Sequence, residues 1–182
     1  MNIFFVDSDP REAARQLCDK HICKMILESV QMLSSAHPEG SAPYGCNKSH
    51  LNHPCTKWAR ASLGNYNWLC EHLDEMCLEY TKRYEKRHKM HDASDWLRSN
   101  QPTKIESDFE GCTDPPQCMP DHCKIHGQDI TSAVKAYRRY YVKEKAYFAK
   151  WKVGNPPAWF LKKGVSNGQK DNLHSGSHEG QA

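Results

Sequence analysis

Asp19, His21, Lys24 and Glu28 fall within ten residues of one another, a set able to hold charge and move protons. On a helix, Ala14, Cys18, His21, Met25, Glu28 and Met32 advance in steps of four and three, which keep one face pointing one way. Burying that face carries His21 and Glu28 inward with their apolar neighbours. Seven residues separate the two, about 10.5 Å along the axis at roughly 1.5 Å per residue. They cannot hydrogen-bond each other directly but can line one pocket. Lys24 stands four residues before Glu28 and can pair with it. A buried carboxylate must be paired, hydrogen-bonded or protonated, and groups held that way suit acid–base work. The same pattern also fits a structural Glu28 tied to a second helix by Arg60 or Arg83, with His21 a satisfied core histidine.

Other residues could complete such a pocket. His53 sits near a helix start, where backbone N–H groups bind anions. Arg60 could hold phosphate or carboxylate bidentately, and Glu79 and Arg83 form an i, i+4 pair. From Lys135 to Lys163 nine Lys/Arg, among them Arg138, Arg139 and Lys143, stand against the single acid Glu144. That segment carries +8 and the rest of the chain −5, within an overall charge of +3. Interleaved with Tyr137, Tyr140, Tyr141, Tyr147, Phe148, Trp151, Trp159 and Phe160, it suits a surface that meets phosphate and stacks bases. It equally suits a helix with an aromatic core face and a solvated basic face. Cys112, Cys118, His122, Cys123 and His126 cluster within fifteen residues. Cys123 and His126 have the two-residue gap that zinc ligands use, which makes Cys118, His122, Cys123 and His126 a candidate zinc set without a clean second pair. Apart from that zinc, the sequence calls for no cofactor.

The elements that must position these groups read as helices. Asp9 caps, Pro10 takes the first helical position and Glu12 the third, which predicts a helix from Pro10 to about Ser35. A turn-rich stretch follows to Asn52. A second helix is expected from His53-Pro54 to about His88, with a break at Gly64. A short helix spans about Ala93 to Arg98, and a long ordered loop runs from Gln101 to Gln128. Asp129 caps a last helix to about Lys152, and Ala158 to Leu161 packs back on the core. Residues Ile3 to Val6 form a short strand or a packed arm. The expected fold is mainly α: one compact helical domain of three to four main helices over residues 1–163, with a disordered tail over 164–182. The chain of 182 residues has no run apolar enough to span a membrane and no signal peptide, and its nine cysteines, an odd number, suit reduced thiols in the cytoplasm.

Two resemblances bear on function. Cys18-Asp19-Lys20-His21 through Lys24-Met25-Ile26-Leu27-Glu28-Ser29, then Pro115-Pro116-Gln117-Cys118-Met119-Pro120, then Tyr137 to Lys145 and Phe148 to Trp151, resemble a family of small bacteriophage proteins that brings no established activity. More distantly, Asp19, His21 and Glu28, with Glu75 through Glu79-Tyr80-Thr81-Lys82-Arg83, are similar to the phage pyrimidine-dimer DNA glycosylases, small helical enzymes that also cut at abasic sites. In that family an Asp-x-His on the first long helix precedes the catalytic Glu by seven residues from the His. The resemblance implies catalytic roles for Glu28, His21 and Asp19, and attack on the sugar C1′ by a free α-amine. This chain departs from the pattern. Asn2 is a residue behind which Met is normally kept, so the amine would be that of Met1, and extra residues before the helix leave its reach open. Leu27 and Gln31 stand where the family has arginines.

These observations lead to a glycosylase-like protein acting on a damaged or modified pyrimidine in phage or host DNA. Glu28 is its central group, His21 and Asp19 orient the site, and Lys24, His53, Arg60, Arg83, Arg138, Arg139 and Lys143 contact nucleic acid, DNA rather than RNA. Two alternatives stay open: a non-catalytic nucleic-acid or host-protein binding module, with or without a structural zinc, and a base-modifying enzyme of phage DNA.

Overall fold

The computed structural model describes residues 1–42, 50–100 and 102–161. The expected tail over 164–182, residues 43–49 of the turn-rich stretch before Asn52, and Gln101 lie outside the described residues. Among those described, helices are the only regular elements: α1 (Pro10–Arg15), α2 (Asp19–Ser34), α3 (Pro54–Ala61), α4 (Leu63–Tyr84), α5 (His91–Ser99), α6 (Ile130–Tyr140) and α7 (Ala158–Leu161). The mainly α expectation holds.

The first expected helix is two. Asp9 caps α1 as its sequence predicts, accepting from the backbone N–H groups of Arg11 and Glu12 at 2.8 and 2.9 Å. The chain then leaves the helix after Arg15 because a buried arginine from α4 takes its carbonyls. Arg83 donates to Arg15 O at 3.1 Å and to Leu17 O at 2.8 Å. The helix resumes at Asp19, where the Cys18 N–H donates to the Tyr141 hydroxyl. These partners satisfy groups that a helix end leaves open.

The second expected helix also divides, at Ser62 rather than at Gly64. Ser62 is extended, and its hydroxyl caps α4 by accepting from Asn65 N–H. Gly64 lies inside α4 for another reason. A Cβ there would stand 2.3 Å from the backbone of Gly111, so the glycine lets the 102–128 loop lie against the helix. Asn65 and Trp58 then fix that loop through Thr113. The central helix α4 packs against α1, α2, α3 and α5, and ends with Glu85 in the left-handed region.

The last expected helix, to Lys152, stops being α-helical at Tyr140. Residues Tyr141–Lys145 form a π-helical turn, after which the chain folds back. Such a turn re-aims the side chains that follow it. Residues 3–6 are a fully buried arm, not a strand: Phe5 packs on Trp58, Trp68 and Tyr137. Cys18, Cys23, Cys55, Cys70, Cys77, Cys112 and Cys118 are free thiols.

Candidate active site

The arm, α2 and the segment after α6 meet around a cleft of about 310 Å³, lined among others by Met1, Asn2, Phe4, His21, Glu28, Tyr140 and Lys145. Helix α2 turns His21 and Glu28 into it, as the stripe predicts. Glu28 is 13% exposed, neither sealed in the core nor turned to bulk water. Its Oε1 lies 3.4 Å from Lys24 Nζ. Its Oε2 accepts the Asn2 N–H at 2.9 Å and lies 3.7 Å from the Met1 amine.

The arm delivers that amine because its first side chain is anchored. The Met1 side chain is 1% exposed, and its Sδ accepts from the Thr56 hydroxyl on α3. Asn2 Oδ1 accepts from Ile3 N–H, and its amide donates to Cys118 O. Phe4 has φ +60°, a region that bulky residues rarely occupy. This bend turns its ring onto His21, with centroids 4.1 Å apart. The extra residues ahead of the helix therefore fold back onto Glu28.

His21 is walled in by Phe4, Tyr141 and Phe148. Burial, then the charges of Lys145, Lys24 and Lys20, push its pKa down to about 3, so the ring is neutral at pH 7. Its Nδ1 lies 2.6 Å from the Tyr141 hydroxyl, which already accepts from Cys18 N–H. With that hydroxyl donating to Nδ1, the imidazole carries its proton on Nε2. His53 caps α3, its Nδ1 accepting from Cys55 N–H. Burial first, then the N-terminal ammonium and His50, lower its pKa against an opposing pull from Glu28, which places it in the field of the same pair.

The cleft's outer wall is basic and aromatic. Lys20 lies 4.7 Å from the centre of the Phe148 ring, and Lys145 lies 4.6 Å from that of Tyr140. Such pairs present both a cation and a stacking face. Tyr140, Lys145 and Phe148 were legible as part of a basic, aromatic segment but not as a wall of this cleft. Lys20 was not singled out, although it shares a helix face with Lys24.

Several expected members are elsewhere. Asp19 faces away from the cleft: its carboxylate lies 3.2 Å from Arg83 and accepts Lys152 N–H at 2.7 Å. Arg83, 2% exposed, is consumed by Glu79, Asp19 and two backbone carbonyls. Arg60 is held by Glu106 and Leu51 O, and Arg138 by Val6 O and Asp7. Arg139 reaches Lys124 O, and Lys143 is exposed on the π-helical turn. The four candidate zinc ligands are not brought together. Among the described residues, Cys118 gathers with His53 and Cys55, Cys123 gathers with His122 and Glu144, and His126 is in neither group.

The family model described as pyrimidine dimer DNA glycosylase matches residues 1–92. The chain belongs to that family. The match covers the arm, α1 through α4 and the start of α5, and so contains Met1, His21, Lys24 and Glu28. The opposite wall of the cleft, from Tyr140 to Phe148, lies beyond it. Searches of curated proteins and of solved structures found no match. Family membership gives a glycosylase-like function and makes DNA the substrate class. No described helix is long and apolar enough to cross a membrane.

Proposed function

We propose that this chain removes a damaged pyrimidine from DNA and then cuts the strand, with the Met1 α-amine as nucleophile and Glu28 as the group that serves it. One observation carries the reading: the amine and the Asn2 N–H both address Glu28 Oε2 inside an open, lysine-rimmed cleft. α-Amines in general release a proton more readily than lysines, which suits them to attack near neutral pH.

In this scheme the lesion nucleotide leaves the stack and enters the cleft, where Tyr140 and Phe148 offer aromatic faces and Lys20 and Lys145 meet phosphates. The unprotonated amine attacks C1′. The N–C1′ bond forms, and the C1′–N1 bond breaks with its electron pair leaving on the base, which takes up a proton. Glu28 takes the amine proton and passes it to O4′ as the C1′–O4′ bond opens, which gives an iminium, a 4′-hydroxyl and Glu28 again as a carboxylate. The Glu28 carboxylate lies where it stabilises that positive charge. Removal of a C2′ proton then expels the 3′-phosphate, and water releases the amine by hydrolysing the imine. Neutral His21, held by Tyr141, aims an Nε2–H rather than a second charge.

The test is a single-turnover assay on a duplex carrying one pyrimidine dimer. Glu28→Gln is expected to lower the rate by about 10²–10³-fold while lesion binding stays within a few-fold. Unchanged turnover in that variant rejects the reading.

A further inference from the structure

Beside the cleft, and outside the chemistry assigned to it, two thiols and an imidazole converge. Cys55 Sγ and Cys118 Sγ are 3.5 Å apart. A ring nitrogen of His53 and both sulfurs all lie within 4.8 Å of one another. The three ligands come from two distant stretches of chain, so only the fold assembles them.

Each ligand is held by something other than a metal. The His53 ring is fixed as the cap of α3 by Cys55 N–H. Cys55 is fully buried on the first turn of that helix. Cys118 is fixed by its N–H to the Tyr137 hydroxyl and by its carbonyl to the Asn2 amide. Pre-set donors of this kind lower the ordering cost of binding.

We infer that His53, Cys55 and Cys118 form a binding site for one divalent metal ion, zinc by preference. Two thiolates and an imidazole are a borderline-soft donor set, the set zinc takes tetrahedrally and magnesium or calcium refuse. With zinc–sulfur bonds of about 2.3 Å, tetrahedral thiolates stand roughly 3.8 Å apart, close to the observed separation. Loading replaces the two thiol protons: the ion bonds to both sulfurs and the imidazole nitrogen, and two protons leave to solvent. A water or Asn2 Oδ1, which is 4.0 Å from Cys55 Sγ, completes the coordination. The ion then joins α3 to the 102–128 loop at the place where Asn2 is already tied down. The site does not rest on the proposed glycosylase reaction.

Cobalt(II) titration of the reduced, metal-free full chain tests this without an activity assay. One equivalent should bind with a sulfur-to-cobalt charge-transfer band and intense visible bands, and zinc should displace both. Cys118→Ser should weaken binding at least about 100-fold, the upper end of what loss of a supporting partner costs. His122→Ala, in the other Cys/His group, should leave the spectrum unchanged. Should Cys118→Ser fail to fold, His53→Ala, at a partly exposed ring, removes a ligand and must weaken binding likewise. Absence of the bands at excess cobalt, their survival in the ligand variants, or their loss in His122→Ala overturns the inference. So does a mass two hydrogens short that maps to a Cys55–Cys118 disulfide in the protein as isolated.

Discussion

Glu28 and His21 share one cleft, yet they are held in opposite ways. The carboxylate meets a positive charge on either side, Lys24 and the Met1 amine. The imidazole is kept neutral by burial and by three lysines. The histidine has a consequence for stability. His21 is pushed down to about 3 and His72 to about 4, both chiefly by burial, from an ordinary value of 6.5. Between those values the unfolded chain binds protons that the folded chain does not, so stability falls as pH drops below 6.5. The loss is on the order of a few kcal/mol for each histidine once pH approaches its folded value. Chemical denaturation at a series of pH values between 7 and 4 checks this, and a flat profile contradicts it. The His21–Glu28 pair was legible in the sequence because helical spacing alone puts two residues seven apart on one face. Asp19 was not, since its place depends on Arg83 and on Lys152, which arrive from other parts of the chain.

At the scale of elements, two devices decide where the helices begin and end. Arg83 stops α1 and aligns α2 by bonding the carbonyls of Arg15 and Leu17 while it pairs with Glu79 and Asp19. Arg83→Leu takes the buried guanidinium from Glu79 and Asp19 and the donor from two carbonyls, and should cost about 3–5 kcal/mol, the range for breaking a buried pair. Urea unfolding measures it, and a loss below 1 kcal/mol, roughly the value of a surface pair, contradicts this role. Gly64 lets the 102–128 loop reach α4. Gly64→Ala should destabilise by about 1–3 kcal/mol through overpacking, seen as a lowered melting temperature. The capping signals at Asp9-Pro10 and at Asp129 were readable because they act on the next turn. The α1–α2 break was not, because the breaker stands 66 residues from Leu17. The π-helical turn was equally hidden, with no proline or glycine between Tyr141 and Lys145 to mark it.

For the whole molecule, the basic segment divides its labour. Arg138 and Trp159 fasten the C-terminal part to the arm and to Gln16, while Lys145, with Lys20 from α2, rims the cleft. If those two lysines contact phosphates, the Lys20→Ala, Lys145→Ala double variant should flatten the dependence of log affinity on log salt by about 2. An unchanged slope on a lesion duplex contradicts that assignment. In the proposed reaction the arm supplies the nucleophile, since it brings the Met1 amine to Glu28 Oε2. Its path was not readable, because the Phe4 bend at φ +60° leaves no mark in residue types. Borohydride reduction during turnover, followed by peptide mapping of the covalent protein–DNA product, tests this most directly. The expected result is a single adduct on the α-amine of Met1, absent when that amine is blocked by acetylation. An adduct on a lysine, or none at all while the base is still released, would contradict it.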